Sequence, residues 1–324
     1  MESSETEHWN EYWRSGSITS FAGRFQANYE GSIAHYWADR ARKFPPRGKI
    51  LDMAAGNGAV AMLLAEASRR HGLALEIHAA DAAEIHPPRQ ALNEASDPRG
   101  VRFWPACPNE ATGFEDASFD VVCSQFGFEY GRSEDSLNEL ARILRPGCEA
   151  YLLCHHPDSI ILRDAREEAG LADRVLSERG LIALAKALSE KMGEHPSRAS
   201  LRALADNPGA ESLRQGLNQE VAALQALARS EAGQSALRQW LDSVASLFGP
   251  AVEQPLTRKH QALETLSNSI RQNRKRLADL ISVAVDENRL AQYRNHPGLR
   301  LEHNGAFHEK NNRLLARELV LKRL

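Results

Sequence analysis

Two carboxylates beside a glycine-rich bend carry the clearest chemistry in this chain. Residues Ile50 to Ala61 read ILDMAAGNGAVA: an apolar run stops at Asp52, bends through Gly56 and Gly58, and re-enters apolar sequence. A second apolar run, LALEIHAAD, stops at Asp81. Further along, SQFGFEY sets Glu129 among aromatic residues, and CHHP sets His155 beside His156. A glycine bend between a strand and a helix brings backbone N–H groups and a helix N-terminus up to a ligand. A carboxylate next to that bend favours positive charge on the ligand. A histidine at the carboxyl end of a strand is a natural proton acceptor, because its ordinary pKa lies near working pH. Tyr29, Glu129 and Tyr130 are the other side chains that can handle a proton. Alternation sends His155 and His156 to opposite faces, so one of the pair at most serves, and His155 is favoured.

The elements that must hold these residues follow from the pattern between Lys49 and His156. Short apolar runs (KILDM, LALEIHAAD, VRFWP, SFDVVCSQF, AYLLCHH) alternate with helical stretches (GAVAMLLAEASRRHG, SLNELARILRPG). Strand and helix in that rhythm imply crossovers and a mostly parallel sheet. Past Pro157 the strand signals stop. Leu213, Leu217, Val221 and Leu224 recur at helical spacing, as do Leu263, Leu266, Ile270 and Leu277, so each set lies on one helical face. Breaks at Pro196, Pro208, Gly249-Pro250 and Pro255 divide this block into several helices. Strand character returns in LRLEHNGAFHE and LLARELVLKRL, an antiparallel pair able to complete the earlier sheet. Residues 9 to 37 gather Trp9, Tyr12, Trp13, Phe21, Phe25, Tyr29, Tyr36 and Trp37. The expected organisation is an aromatic-rich N-terminal helical lid over 1–45, a cofactor-binding core over 46–157, a helical cap over 158–297 and C-terminal strands over 298–324.

Composition narrows the classes. Of the 324 residues 42% are hydrophobic and 26% charged, enough to bury a core and keep a solvated surface. Apolar runs break well before the roughly 18 residues of a membrane span, and MESSETEH is no signal peptide, so a cytoplasmic protein without a membrane role is expected. A net charge of -3 gives no global attraction to a polyanion, which disfavours nucleic acid. Cys107, Cys123, Cys148 and Cys154 have neither zinc spacing nor the clustering of an iron-sulfur site, so a reducing compartment and no metal are expected. Arg271, Arg274, Lys275 and Arg276 form a basic run, which at helical spacing reads as a solvated face.

Gly56-Asn57-Gly58-Ala59-Val60-Ala61 also satisfies the G-x-G-x-x-A dinucleotide pattern. Asp52 decides against it, because a pyrophosphate at the bend would be repelled by a carboxylate four residues upstream of the first glycine. A sulfonium- and ammonium-bearing ligand tolerates that acid, and S-adenosylmethionine is one. The stretch resembles motif I of the class I S-adenosylmethionine-dependent methyltransferases, with Ala54 and Ala55 where Gly and Cys are commoner. In order along the chain, LEIHAAD, GFEDASFDVVCSQFGFEY and ELARILRPG resemble that family's second-strand acid, fourth-strand segment and the helix and turn before its fifth strand.

What the resemblance implies is an α/β, doubly wound, mostly parallel seven-stranded sheet with an antiparallel last strand, plus a large all-helical insertion. It implies S-adenosylmethionine as cofactor and S-adenosylhomocysteine as its product. The cofactor set is then Asp52, Ala54, Gly56, Gly58, Asp81, Ala82 and Gln125, with Asp81 holding the ribose hydroxyls. Where the family often has an acid near adenine, this chain reads Cys107-Pro108-Asn109-Glu110, which leaves Asn109, a shifted Glu110 or backbone groups for that contact. HWNEYWRSGSITSF is similar to the W-x-x-x-W-x-x-G segment of thiopurine-type enzymes, so Trp13 either covers the cofactor or packs a helix. Gln125 stands where metal-dependent catechol-type relatives supply an acid, so no catalytic metal is expected. No N-P-P-Y, D-P-P-Y or Pro-Cys motif of the nucleic-acid methyltransferases is present after the fourth strand. The expectation is methyl transfer to oxygen or nitrogen of a small-molecule acceptor, with His155, His156, Glu129 and Tyr29 as proton-handling candidates. An RNA or protein methyltransferase, or an inactive cofactor-binding scaffold, stays open. The helical insertion is expected to cap the acceptor side and is the candidate interface between two copies. An RNA substrate would want a basic groove along Arg258, Lys259 and Arg271 to Arg276.

Overall fold

The computed structural model describes residues 7–20, 27–87, 100–204, 206–248 and 253–324. Phe21, Phe25 and the Gly249-Pro250 break lie outside them. The chain divides into two units, one of Met1–Leu162 with Leu280–Leu324 and one of Arg163–Asp279.

The first unit is built on seven strands: β1 (Lys49–Met53), β2 (Glu76–Ala80), β3 (Val101–Trp104), β4 (Phe119–Gln125), β5 (Leu144–Cys154), β6 (Leu299–His308) and β7 (Leu314–Arg323). Their order is β3-β2-β1-β4-β5-β7-β6. Every pair from β3 to β5 is parallel, while β7 runs antiparallel to both β5 and β6. The order reverses between β1 and β4, where a doubly wound sheet opens a crevice at the carboxyl ends of its strands. Asp52 pairs with Ala79 on one side and Cys123 on the other, which sets it at that reversal.

Helix α1 (Glu7–Arg14) and α2 (Gly31–Ala41) precede the sheet, α3 (Ala59–His71) joins β1 to β2, and α4 (Ser133–Ile143) leads into β5. Helix α3 starts at Gly58 and stops at Gly72, both with left-handed backbone. Its last turn carries Arg69, Arg70 and His71, which complement the negative end of the helix dipole. One sheet face buries Leu51, Met53, Val122, Leu152 and Leu319 against Leu137 and Leu140 of α4.

The second unit is all helix: α5 (Ile160–Val175), α6 (Leu181–Met192), α7 (Arg198–Leu204), α8 (Pro208–Leu227), α9 (Glu231–Phe248) and α10 (Leu256–Ser282), with the unit boundaries falling inside α5 and α10. Leu224, Leu263 and Ile270 are buried in its core with Leu217, Val221 and Leu266 packed alongside. Asn207 caps α8 by accepting the Ala210 N–H, with Pro208 in the first turn. The basic run of α10 is neutralised within this unit: Arg271 meets Glu264 and Asn268, and Arg274 forms a two-pronged pair with Asp173. Two of the basic side chains of that run are thus engaged within the helical unit, and Lys259 is buried at 1% exposure.

Helix α11 (Glu287–Arg294) falls within residues 158–297, expected to be cap, yet belongs to the sheet unit. The reason is packing: Leu290 and Tyr293 are fully buried in the core that backs β4 and β5.

Candidate active site

At the end of β1 the backbone turns left-handed at Ala54 (φ 57°), Gly56 (φ 54°) and Gly58 (φ 90°). Ala54 holds a conformation that costs an L-residue about 1–2 kcal/mol. Gly56 has no alternative: besides its φ, a Cβ there would overlap the indole of Trp13. Gly58 faces the ring of Phe103 on β3, at 2.6 Å from where its Cβ would stand.

Both acids are buried at this bend. Asp81 accepts the Gly56 N–H at 2.7 Å with Oδ2 and the Ala83 N–H at 2.8 Å with Oδ1, so it shapes the bend and its own loop. Ala82 lies between those anchors. Asp52 accepts the Ala61 N–H at 2.9 Å in the first turn of α3. Burial pushes Asp52 up to about 8, with the Asp81 charge adding to the rise, and raises Asp81 as well. Among the described residues no basic side chain forms an ion pair with either.

Asn57, inside the glycine motif, is fully buried. Its amide donates to the carbonyls of Trp13 (3.0 Å) and Ser17 (2.7 Å), and its Oδ1 accepts the His86 N–H at 2.6 Å. It therefore bolts the N-terminal segment and the loop after β2 onto the bend. The sequence reading passed over it as the variable position of G-x-G. Its signal was an amide, two donors and an acceptor, at a position where burial is unavoidable.

The loop after β4 is held just as tightly. Ser124 Oγ donates to the Met53 carbonyl at 2.6 Å and accepts the Phe128 N–H at 3.1 Å. Phe126 is left-handed (φ 55°) and donates its N–H to Leu153. A Cβ on Gly127 would stand 2.5 Å from the Ala54 Cβ, so the bend after β1 and the loop after β4 touch. Asn109 donates to the Gly127 carbonyl at 3.3 Å, and Glu110 accepts the Arg132 N–H at 2.8 Å. Gln125 accepts the Trp37 indole N–H at 2.6 Å. Tyr29, beside Ser20 and Gln125, is buried and its hydroxyl is pushed up to about 12 by that burial, so at neutral pH it is a hydrogen-bond donor.

Glu129 is fully buried within a short 3-10 turn and accepts the His155 N–H at 2.6 Å. Burial pushes it up to about 7, opposed by that N–H and by Arg289. Arg289 of α11 donates to the Glu129 and Val283 carbonyls, each at 2.6 Å, and Val285 N–H donates to the His155 carbonyl at 2.9 Å. Arg289 was missed because it lies 160 residues from Glu129 in sequence. The His155 ring, 1% exposed, stacks on Phe126 with centroids 4.7 Å apart and meets Tyr130 edge-on at 6.1 Å. His156 turns elsewhere: Nδ1 accepts the Asp158 N–H and Nε2 lies 3.3 Å from Arg317 on β7. Trp13 stacks on Trp9 at 5.9 Å, and Trp9 meets Tyr130 edge-on at 5.4 Å. An arc of rings thus runs from the glycine bend through Trp13, Trp9, Tyr130 and His155 to Phe126. The structure brings Trp13, Asp52, Gly56, Asp81, Gln125, Glu129 and His155 to one edge of the sheet and sets His156 apart.

Comparison with known proteins matches residues 50–147 to a family described as a methyltransferase domain. Two curated relatives, ubiquinone/menaquinone biosynthesis C-methyltransferases of Xanthomonas oryzae pv. oryzae and Xanthomonas campestris pv. campestris, are each 32% identical over 109 residues. That stretch is 33% of this chain and 42% of the relative, so the chain spans under half the length of the curated relatives it matches. Among solved structures, the Bacillus YcgJ protein aligns with 90% of this chain and 99% of its own at 13% identity and a TM-score of 0.35. A Burkholderia thailandensis 1,6-didemethyltoxoflavin-N1-methyltransferase, solved with bound 1,6-didemethyltoxoflavin and S-adenosylhomocysteine, aligns with 38% of this chain and 51% of its own at 21% identity and a TM-score of 0.31. No described helix is long and apolar enough to cross a membrane. Residues 50–147 are thus similar to a methyltransferase domain, and the strand order and the acid-flanked glycine bend of the sheet-bearing part agree with that similarity.

Proposed function

We propose that the protein transfers a methyl group from S-adenosylmethionine to an oxygen or nitrogen of a small-molecule acceptor. The observation that carries this reading is the pair of buried acids, Asp52 and Asp81, flanking a left-handed bend with no described basic partner. A buried carboxylate without a counter-charge is costly, and a cation lodged beside it relieves that cost. The donor set therefore fits a ligand with a positively charged amino-acid end and a sugar rich in hydroxyls. S-adenosylmethionine, when bound, supplies the activated methyl on its sulfonium.

The chain's own residues divide the remaining tasks. A cation bound beside Asp52 draws its raised pKa back down and so favours its ionised form, while Asp81 has lone pairs left for hydroxyls after accepting two backbone N–H groups. Gly56, Gly58, Ala54 and Ala82 let backbone approach the ligand. Asn109 and Glu110 face the base, and Gln125 lines the floor. Trp13 covers the bend, and an indole face attracts a sulfonium and excludes water. His155 takes the acceptor's proton, its backbone fixed by Glu129 and Val285. Tyr29 donates a hydrogen bond rather than accepting a proton, and His156 stays with Arg317. The similarity to ubiquinone/menaquinone biosynthesis C-methyltransferases supports a small acceptor. The ion-paired basic run of the helical unit weighs against RNA.

Calorimetry with S-adenosylmethionine and S-adenosylhomocysteine tests the cofactor site, with Asp52→Ala and Asp81→Ala as controls. Full affinity in both variants removes these acids from it. Tritiated-methyl transfer is then assayed against separate metabolite, RNA and protein pools. Label in the metabolite pool is expected, and label confined to RNA or protein overturns the acceptor class.

A further inference from the structure

We infer that Arg317 and His156 form an oxyanion subsite at the carboxyl end of β5, and that it takes a carboxylate or phosphate group of the acceptor. The inference rests on the methyl-transfer reading and adds the acceptor's charge. Arg317 on β7 is buried and pairs in register with Cys154, the last residue of β5. Its Nη1 donates to Asn304 Oδ1 at 3.1 Å, and its Nη2 donates to Glu287 Oε1 at 3.3 Å and faces His156 Nε2 at 3.3 Å. Its buried Nε has no partner among the described residues. These contacts are long for an ionised donor, which closes to about 2.7–2.9 Å on a carboxylate. The Glu287 side chain is 76% exposed against 9% for Arg317, so the acid of the pair lies mostly in water while the cation does not.

The cluster also holds more donors than acceptors. A neutral imidazole has one N–H and one acceptor nitrogen. His156 Nδ1 faces the Asp158 N–H at 3.1 Å and Nε2 faces the guanidinium, so one ring nitrogen sets its proton against a donor. Protonating the ring would add another donor, and burial and then the Arg317 charge push its pKa down. An oxyanion supplies the missing acceptors and displaces the exposed Glu287 carboxylate. His156 is half-buried and Asn304 is exposed, so the cluster reaches the surface. Its place ties it to the acceptor, because His156 follows the proposed proton acceptor His155 in the chain. Strand β7 lies three strands from β1, about 14 Å at the ordinary strand spacing, so the docked group is not the methylated atom and the product keeps its charge.

Calorimetry at low salt compares inorganic phosphate and acetate with neutral acetamide. The anions are expected to bind at least about tenfold more tightly than acetamide, as charge-assisted hydrogen bonds require. Arg317→Gln is expected to erase that preference. Because loss of Arg317 can also disturb the fold, Asn304→Asp is the second variant: it keeps Arg317 and sets a carboxylate against Nη1. It is expected to weaken phosphate binding at least about tenfold by occupying the guanidinium. S-adenosylhomocysteine binding is read on every sample. Tritiated-methyl products of the metabolite pool are then separated by anion exchange at neutral pH, with label expected in the retained fraction and greatly reduced by Asn304→Asp. No preference for the anions over acetamide, phosphate binding unchanged in both variants, or label only in the unretained fraction overturns the inference. Phosphate binding lost in Asn304→Asp, together with no label in any small molecule, supports the subsite and sinks the small-acceptor reading alone. Variant-sensitive phosphate binding without any S-adenosylhomocysteine binding sinks the cofactor reading alone.

Discussion

At the β1–β2 edge two buried carboxylates face backbone N–H groups and no described cation, while at the β4–β5 edge the buried carboxylate of Glu129 accepts the His155 N–H with one oxygen and leaves Oε2 without a hydrogen-bond partner. The groups around it are the His155 N–H and Cys154 from β5 and its loop, and Arg289 and Tyr293 from α11. The first edge carries an uncompensated electrostatic cost that a ligand removes. The second keeps a buried acid beside an arginine, with Arg289 donating to the Glu129 and Val283 carbonyls. The comparison separates an edge whose acids meet only backbone N–H groups from an edge whose acid is held next to a cation.

The strongest way to break this contrast is Asp81→Ala. It removes the acceptor of two N–H groups and the proposed holder of the sugar, so cofactor affinity falls about 100-fold, or about 2.8 kcal/mol, by calorimetry. An undiminished isotherm would mean the first edge does not bind through its acids. Arg289→Ala is the matching cut at the second edge. It strips two carbonyls of their donor and costs about 2 kcal/mol in urea unfolding, while cofactor affinity stays within about twofold. A large loss of cofactor affinity there would show that the two edges are one coupled unit.

Asp52→Asn sharpens the electrostatic claim. The folded-state pKa of Asp52 is raised to about 8 against an ordinary value of 3.8. The folded state therefore binds more protons between those values, so stability falls as pH rises from about 4 and the loss is complete near pH 8. Asparagine keeps an oxygen for the Ala61 N–H and carries no charge. The variant is expected to gain stability over the wild type steadily as pH rises from about 4 to about 8, in paired thermal melts. A pH-independent difference removes the uncompensated charge from the account. The smallest effect is expected from Ala54→Gly, where relief of a left-handed alanine stabilises by up to about 1 kcal/mol without moving the acids.

Much of the first edge was legible because its determinants are local. Asp52, Gly56 and Gly58 lie within seven residues of each other, and Asp81 ends the next apolar run, so backbone geometry ties them together before any tertiary contact forms. The second edge was legible only in its parts. Glu129 and His155 could be named, but not that one accepts the other's backbone N–H, nor that Arg289 donates to the Glu129 carbonyl. Helix α11 has helical sequence like the cap, and only the burial of Leu290 and Tyr293 places it with the sheet.

By itself the sequence determined the alternating strand–helix core, the left-handed bend at its first crossover and the acids that stop its first two strands. These follow from residue type, periodicity and glycine's freedom at positive φ, all short-range properties. Only the tertiary structure decided that Trp13 lies on Gly56, that Asn57 ties three segments together and that His155 joins the aromatic arc while His156 turns to Arg317. Those outcomes depend on which distant surfaces meet and which buried polar groups must find partners, and spacing along a chain does not encode either.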